Sequence, residues 1–152
     1  MDLLFHFKNT LQKYRYRNLK LGENSRLNLG VKINAPERMT IGDNTYINGG
    51  IFSIGPNSNI MIGNDCLISY NVHFRTTSHF YLNKNELIRN QGHKESSILV
   101  EDDVWIGFGA QIMPGITLHK GCVVGAGAVV THDVPSYAVV VGVPAHIIKF
   151  RE

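Results

Sequence analysis

The chain has 152 residues and a mass of 17.0 kDa, with 43% hydrophobic and 18% charged residues. It is long enough for one domain with a buried core and too short for two ordinary ones, and it contains no apolar run near the roughly 18 residues of a membrane span. The net charge of +3 is concentrated in residues 1–20, whereas residues 21–152 carry ten basic and eleven acidic side chains, which argues against a nucleic-acid-binding protein.

Residues 1–20 form a basic, amphipathic N-terminal segment. Leu4, Phe7, Leu11 and Tyr14 follow the three- and four-residue spacing of one helix face. We expect a short helix that covers the open end of the following domain, and the alternative is contact with a membrane surface. Charge interrupts the apolar stretch too early for a secretory signal, so a cytoplasmic location is expected.

A six-residue repeat dominates the rest of the chain. Every sixth residue from 100 to 130 is aliphatic, and the residue four positions after each is apolar and of small or medium size: Val100, Ile106, Ile112, Leu118, Val124 and Val130, followed by Val104, Ala110, Ile116, Cys122, Ala128 and Val134. The same frame recurs upstream, with a slip between residues 54 and 60: Ile62, Ile68 and Phe74 with Cys66, Val72 and Ser78, and Ile41 and Ile47 with Thr45 and Ile51.

A period of six fits neither a helix nor a simple strand, whose apolar spacings are 3.6 and 2. It fits short strands separated by sharp glycine corners, three of which close a triangular coil of about 18 residues. We therefore predict an all-β domain over residues 21–152, a parallel β-helix of stacked coils with a C-terminal cap. Cys66 and Cys122 occupy the small-residue position, which predicts inert core thiols rather than a disulfide or zinc site.

Residues 75–99 interrupt the repeat. This insertion is rich in polar side chains and contains His79, Tyr81, Arg89 and His93. Long loops without their own periodicity inside a compact domain are more often functional than accidental. We therefore expect the insertion to carry part of a functional site.

Residues 100–149, from Val-Glu-Asp-Asp-Val-Trp-Ile-Gly-Phe-Gly-Ala to Gly-Val-Pro-Ala-His-Ile-Ile-Lys, resemble the hexapeptide-repeat acyltransferases. Nearest are the maltose/galactoside and polysaccharide O-acetyltransferases. The resemblance implies a left-handed parallel β-helix, a homotrimer with active sites between neighbouring subunits, and acetyl-CoA as cosubstrate without a metal. The activity it implies is direct transfer of acetyl to a sugar hydroxyl, in the setting of surface polysaccharide biosynthesis.

The resemblance also implies a catalytic histidine. The family uses a histidine near the start of the inserted loop, and His79, 26 residues before Trp105, matches that position. His73 is a rival by sequence alone, but its place in the repeat puts it at a coil corner. An imidazole suits removal of the acceptor's hydroxyl proton, and no covalent acyl-enzyme is required.

A coenzyme A site follows from the same resemblance. Phe108 and Ala126 are expected to contact the pantetheine arm through their main chain, and Trp105 and Gly107 are candidate donors to the oxyanion. The other expected contacts are Thr131, His132, His146 and Lys149. His146 stands where the family often has an arginine, so phosphate binding is expected to be weaker, more pH-dependent, or supplied by Lys149 and Arg151.

Two asparagines are the candidates for the acceptor site. The positions that carry an amide and a carboxylate in the sugar acetyltransferases align with Gly49 and Asn57, and Asn48 is the candidate for the missing amide. This departure leaves galactoside or maltose specificity open. The helical N-terminal domain and long tail of serine acetyltransferases are absent, which favours a sugar over serine.

Other function classes share this fold or this chemistry. A γ-class carbonic anhydrase uses the same coil, but the seven histidines lack its closely spaced pair and none lie 18 residues apart. A non-catalytic β-helix scaffold would need neither His79 nor the Trp-Ile-Gly motif. Acyl transfer to the amine of an amino sugar would use the same base and cofactor, so it stays open beside the hydroxyl acceptor.

Overall fold

The computed structural model describes residues 11, 12 and 14–152. Strands account for most of the regular structure in this part of the chain, with short 3₁₀ turns at Pro36–Arg38 and Ile88–Asn90. The strands are β1 (Lys20–Leu21), β2 (Arg26–Ile33), β3 (Met39–Ile41), β4 (Tyr46–Ser53), β5 (Ile60–Ile62), β6 (Leu67–Ile68), β7 (Val72–Arg75), β8 (Thr77–His79), β9 (His93–Glu95), β10 (Ile98–Val100), β11 (Trp105–Ile106), β12 (Gln111–Ile112), β13 (Thr117–Leu118), β14 (Val123–Val124), β15 (Val129–Val130), β16 (Ala138–Val141) and β17 (His146–Phe150).

The strands stack into three faces of a triangular prism. The first face is the sheet β1-β3-β5-β10-β13. A second sheet of ten strands forms the other two faces, because β2 and β4 each continue from one face onto the next. The second face contains β6, β11, β14 and β16, and the third contains β7, β12 and β15. All these neighbours pair in parallel, so the predicted parallel β-helix is confirmed, with about five turns.

The predicted coil length holds in the C-terminal half. Leu99 pairs with Thr117 and Trp105 with Val123, so each residue lies beside the one 18 positions later. The whole aliphatic column from Val100 to Val130 is buried, and so are the small residues at the fourth position. Stacking identical positions in successive turns is what lets each short strand bury its apolar side chain.

The six-residue frame predicted upstream of residue 100 was wrong at two positions. Ile51 is 45% exposed, and Phe52 occupies the core instead, where its ring stacks on that of Phe74 with 4.9 Å between centroids. The frame shifts because the early turns are longer than 18 residues: Lys20 pairs with Thr40. Ser78 is not a coil residue, because it lies in β8 outside the prism.

Residues with positive φ make the corners. We call the corner between the first and second faces the first corner, that between the second and third faces the second corner, and the remaining one the third corner. Asn44, Asp65 and Asp103 adopt the left-handed conformation in successive turns of the first corner, and Gly109 and Gly127 do so at the second. Asparagine, aspartate and glycine tolerate this conformation best, which explains their recurrence here.

The described part of the N-terminal segment packs on the first turn, but not through the predicted face, because Leu11 and Tyr14 are exposed. Tyr16 is buried and its hydroxyl donates to the Val31 carbonyl at 3.0 Å, and the Gln12 amide donates to the Asn28 carbonyl at 2.7 Å. Residues 1–10 and Lys13 lie outside the described residues, and with them most of the predicted helix and its membrane alternative. No helix within the described residues is long and apolar enough to span a membrane.

The insertion leaves the prism at the third corner as a two-stranded antiparallel arm. Strands β8 and β9 pair from Thr77 with Glu95 to His79 with His93, and the chain rejoins the first face at β10. At the C-terminal end, β17 turns back antiparallel to β16. The Arg151 guanidinium then donates to Asp103 at 2.9 Å and to the Gly121 carbonyl at 2.8 Å, which fastens the tail across the second face.

Candidate active site

His79 lies at the end of β8, with its side chain exposed. Its cross-strand partner is His93, and the centroids of the two imidazole rings are 4.3 Å apart with 42° between their planes. The predicted base is therefore on the arm, accessible, and in contact with a second imidazole. A general base must be accessible to a substrate that binds from solution, and the exposed position of His79 permits this.

A carboxylate holds the base of the arm against the prism. The Ser58 hydroxyl donates to Glu95 at 2.6 Å, and the Asn57 backbone N–H donates to the same oxygen at 2.7 Å. These hydrogen bonds stabilise the ionised form, and the Ser58 bond is the main cause that lowers the pKa of Glu95 below its ordinary value. A Cβ at Gly55 would collide with the Glu95 carboxylate and the Thr77 methyl group, so the glycine leaves the space that these two side chains occupy at the third corner.

A buried threonine completes this attachment. The Thr76 hydroxyl oxygen accepts the Gly55 N–H at 2.8 Å and lies 2.7 Å from the Ser58 hydroxyl. Both Thr76 and Ser58 are buried, so their hydroxyls satisfy each other and the adjacent backbone away from water. The polar cluster thus fixes the point where the arm leaves β7.

The rival histidine sits in a different environment. His73 is in β7 on the third face, beside Ile51 and Gln111 of the neighbouring strands. Burial lowers its pKa, and the nearby Arg75 guanidinium, 3.5 Å from its Nδ1, adds to the effect. His73 thus lies within β7, neither on the arm nor at the coil corner where the repeat placed it.

The second corner brings together several predicted coenzyme A contacts. Phe108 and Ala126 are both exposed and lie one turn apart, and the Gly127 N–H donates to the Phe108 carbonyl at 2.8 Å. A Cβ on Gly107 would lie 2.7 Å from the Ala126 nitrogen, so the turns stack closely here. Exposed backbone at such a corner is open to hydrogen bonding by an amide-bearing ligand.

The acceptor candidates lie apart from each other. Asn48 is near the second corner, where its side-chain oxygen accepts from the Asn28 amide at 2.9 Å. Asn57 is at the third corner, where its side-chain amide donates to Glu95 at 3.3 Å. Both roles stay predictions, and Asn57 already has a structural task at the arm.

Trp105 and Lys149 line one groove of about 870 Å³ on the second face. The indole is 52% exposed, and the groove runs between it and the C-terminal tail, with Leu67, Val123 and Val139 forming its apolar floor. Arg151 also lines this groove but is committed to Asp103 and Gly121. Lys149 is thus the better placed of the two cations for a phosphate ligand.

The remaining predicted contacts lie at the ends of later strands. Thr131 and His132 follow β15 towards the third corner, and the Thr131 hydroxyl lies 3.0 Å from His132 Nδ1. His146 is exposed at the start of β17, opposite Val141. Consequently, Phe108 and Ala126 belong to the second corner, whereas Thr131 and His132 lie on the side of the arm.

Sequence reasoning missed the attachment of the arm. Glu95, Ser58 and Thr76 carried no predicted role, and Glu95 lies 37 residues from Ser58 in a part of the chain without a repeat. In the sequence, His93 is one polar residue among several in the insertion. A pairing register for β8 and β9 would have been needed to find either contact.

Comparisons with known proteins find a transferase family and individual acetyltransferases. The model of the bacterial transferase hexapeptide (six repeats) matches residues 97–132. A galactoside O-acetyltransferase from Escherichia coli is 33% identical over 129 residues, which are 85% of this chain and 62% of that protein. A 2,3,4,5-tetrahydropyridine-2,6-dicarboxylate N-acetyltransferase from Staphylococcus aureus is 54% identical over 54 residues, which are 36% of this chain and 23% of that protein.

A solved structure matches over a larger share. The hexapeptide-repeat acetyltransferase from Vibrio cholerae, in complex with acetyl coenzyme A, has a TM-score of 0.82 and 32% identity, and the match covers 94% of this chain and 78% of that chain. The two curated relatives, by contrast, are matched over less than two thirds of their own length. On these grounds the chain belongs to the bacterial hexapeptide-repeat transferases and has their left-handed parallel β-helix fold.

Proposed function

We propose that this protein is an acetyl-CoA-dependent O-acetyltransferase that acetylates a hydroxyl of a sugar, with His79 as the general base. The observation that carries the proposal is the placement of His79, exposed on an arm that Glu95 fastens to the prism. The galactoside O-acetyltransferase and the acetyl-CoA complex among the relatives support the reaction class and the acetyl donor.

Acetyl transfer from a thioester to a hydroxyl does not require a covalent intermediate with the protein. A thioester is already activated, so the main tasks are to remove the proton of the acceptor hydroxyl and to align the two substrates. His79 takes that proton as the oxygen attacks the thioester carbonyl, and returns it to the departing thiolate. A positioned imidazole in this role contributes a factor of about 10²–10⁴ to the rate.

The proposed site forms between copies of the chain. Phe108 and Ala126 lie at the second corner and His79 beyond the third, and the intervening strand with its flanks spans roughly 15 Å at about 3.3 Å per residue. This separation supports a site to which two neighbouring copies contribute, one through its second corner and the other through its arm. We propose a homotrimer in which the second corner of one copy faces the arm, Thr131 and His132 of the next.

The cofactor contacts divide accordingly. The main chain at Gly107, Phe108 and Ala126 would bind the pantetheine amides, and Lys149 on the tail would bind a phosphate. Trp105 would border the reacting end through its exposed indole, with Asn48 towards the acceptor. A cytoplasmic enzyme of surface polysaccharide assembly is the setting we propose, because the acetyl donor is a cytoplasmic metabolite.

A nitrogen acceptor is the second candidate. The N-acetyltransferase relative is 54% identical over its matched segment, which favours amine acetylation as the alternative. An amine needs the same proton removal and the same acetyl donor, so an amino sugar would use the site without rearrangement. The product, an ester or an amide, distinguishes the two.

A thiol-release assay with acetyl-CoA and a panel of sugars, amino sugars and amino acids tests the proposal. We expect release that depends on a sugar, an acetyl product labile to hydroxylamine, and a loss of about 10²-fold or more in H79A. His73→Ala is the matched control and should retain activity, since His73 lies in the prism wall.

Other outcomes point elsewhere. A hydroxylamine-stable product would favour the amine acceptor. Full turnover in H79A would remove the proposed base. Failure to bind coenzyme A in calorimetry would favour the non-catalytic scaffold. Analytical ultracentrifugation reports on the proposed trimer separately from catalysis.

A further inference from the structure

We propose that His93 is the positioning residue of His79, holding the imidazole of the base in one orientation by packing ring against ring. The inference rests on the proposed role of His79 and adds to it a residue that acts through the base rather than on substrate. It comes from the pairing of β8 with β9 and from the 4.3 Å separation of the two ring centroids.

The first step is the orientation of the paired side chains. Thr77 pairs with Glu95 and His79 pairs with His93, and side chains two positions apart on a strand lie on the same face. Thr77, Glu95, His79 and His93 therefore share one face of the arm. Ser78 and Lys94, the pair between them, lie on the opposite face.

The second step is the connection of that face to the prism. A Cβ on Gly55 would touch both Glu95 and the Thr77 methyl group, and Glu95 is bound to Ser58 and Asn57. The inner pair of the face is thus fixed at the third corner. The histidine pair is the next pair outward, roughly 7 Å further along the strands.

The third step is the need for a local contact at the outer pair. A two-stranded antiparallel arm has little stability of its own, so its side-chain positions depend on cross-strand contacts. Beyond the histidines the Phe80 N–H donates to the Gly92 carbonyl at 3.1 Å, and the Gln91 side-chain amide then joins the tip by donating to the Asn83 and Glu86 carbonyls at 2.9 Å, but none of these bonds involves the His79 ring. The His93 ring covers one side of His79 and thereby restricts the rotation of an otherwise exposed imidazole.

The consequence is catalytic rather than structural. A base that must meet both a hydroxyl and a thioester loses rate steeply when its nitrogen is displaced, by up to about 10²-fold for a shift of 1 Å. His93 supplies the surface that prevents such displacement. A phenyl ring at position 93 would supply the same surface without a nitrogen, which makes the idea testable by substitution.

The experiment measures kcat and KM for acetyl-CoA and the acceptor in full-length H93A, H93F and K94A. We expect H93A to lose about tenfold to a hundredfold in kcat, with both KM values changed by less than about threefold. H93F should recover most of the rate. K94A should match the unaltered protein, because Lys94 is exposed on the opposite face of the arm.

Two results would overturn the inference: turnover by H93A at the original rate, or a loss in H93F as large as that in H93A, which would assign the effect to the imidazole nitrogens. A readout independent of activity is the His79 Cε1–H resonance. It should shift in H93A, because the ring current of His93 is lost, and an unmoved resonance also contradicts the contact. If the unaltered protein releases no thiol with any acceptor, the proposed function fails while this resonance still tests the pair.

Discussion

The Ser58 hydroxyl donates a 2.6 Å hydrogen bond to Glu95, and this bond joins the prism to the arm that carries His79. We expect Glu95→Ala to reduce kcat by about tenfold or more, because a released arm no longer holds the base in place. The melting temperature should change little, since the coil contacts are unaffected. Steady-state kinetics would measure kcat, limited trypsin digestion at the exposed Lys84 and Arg89 would measure release of the arm, and a thermal unfolding curve would give the melting temperature.

The matched control is Glu86→Gln near the tip of the same arm. Glu86 accepts a hydrogen bond from the Asn83 amide at 3.4 Å and makes none of the contacts of Glu95 with the prism. It should leave both kcat and the rate of trypsin cleavage unchanged. Equal behaviour of the Glu95 and Glu86 variants would show that attachment at the third corner has no catalytic role.

The Glu95 carboxylate makes the attachment of the arm to the prism dependent on pH. Its hydrogen bonds from Ser58 and Asn57 lower the pKa of Glu95 below its ordinary value. A group with a lowered pKa stabilises the folded arm at all pH values above its ordinary pKa, and this contribution is lost only as the pH falls through the lowered value. We expect the Asn57 N–H resonance, which reports the hydrogen bond to Glu95 directly, to be constant from about pH 8 to pH 5 and to change only below about pH 4. A transition near neutral pH would contradict this assignment.

The prism could be predicted because its physical rule is periodic. Once three short strands close a coil, every sixth residue must face the core, and Ile106 and Leu118 therefore had to be buried. The rule failed at Ile51 because β4 contains Gly50 in a positive-φ conformation and the early turns are longer. The six-residue count shows the irregular turn only as the slip between residues 54 and 60, which lies after Ile51, whereas the structure places the irregularity already at Gly50.

The arm could not be predicted in the same way. His79 was found through a family resemblance, but its neighbours depend on which residues of β8 and β9 face each other. That register places His93 against His79 and Glu95 two residues closer to the prism. This register depends on the geometry of the hairpin and on the space that Gly55 leaves for Glu95. Neither feature produces a periodic pattern in the sequence.

The two cysteines give a prediction about reactivity. Burial raises the pKa of Cys66 to about 11 and that of Cys122 to about 12, so almost no thiolate exists near pH 8. We expect no reaction of the native protein with Ellman's reagent and two thiols titrated in guanidinium chloride. Rapid labelling of either thiol in the native protein would contradict the core placement and reopen a covalent acyl-enzyme.

Ile112 tests whether the stacked column stabilises the fold. It is fully buried and lies between Phe74 of the preceding turn and Val130 of the following one. Ile112→Ala removes contacts to both neighbours and leaves a cavity, so we expect a loss of about 2–5 kcal/mol in the free energy of unfolding. The neighbouring Gln111 faces solvent, and Gln111→Ala should change it by less than about 0.5 kcal/mol. Guanidinium unfolding at one fixed protein concentration measures both variants, and a similar small loss in each would mean that the column does not stabilise the coils as their burial indicates.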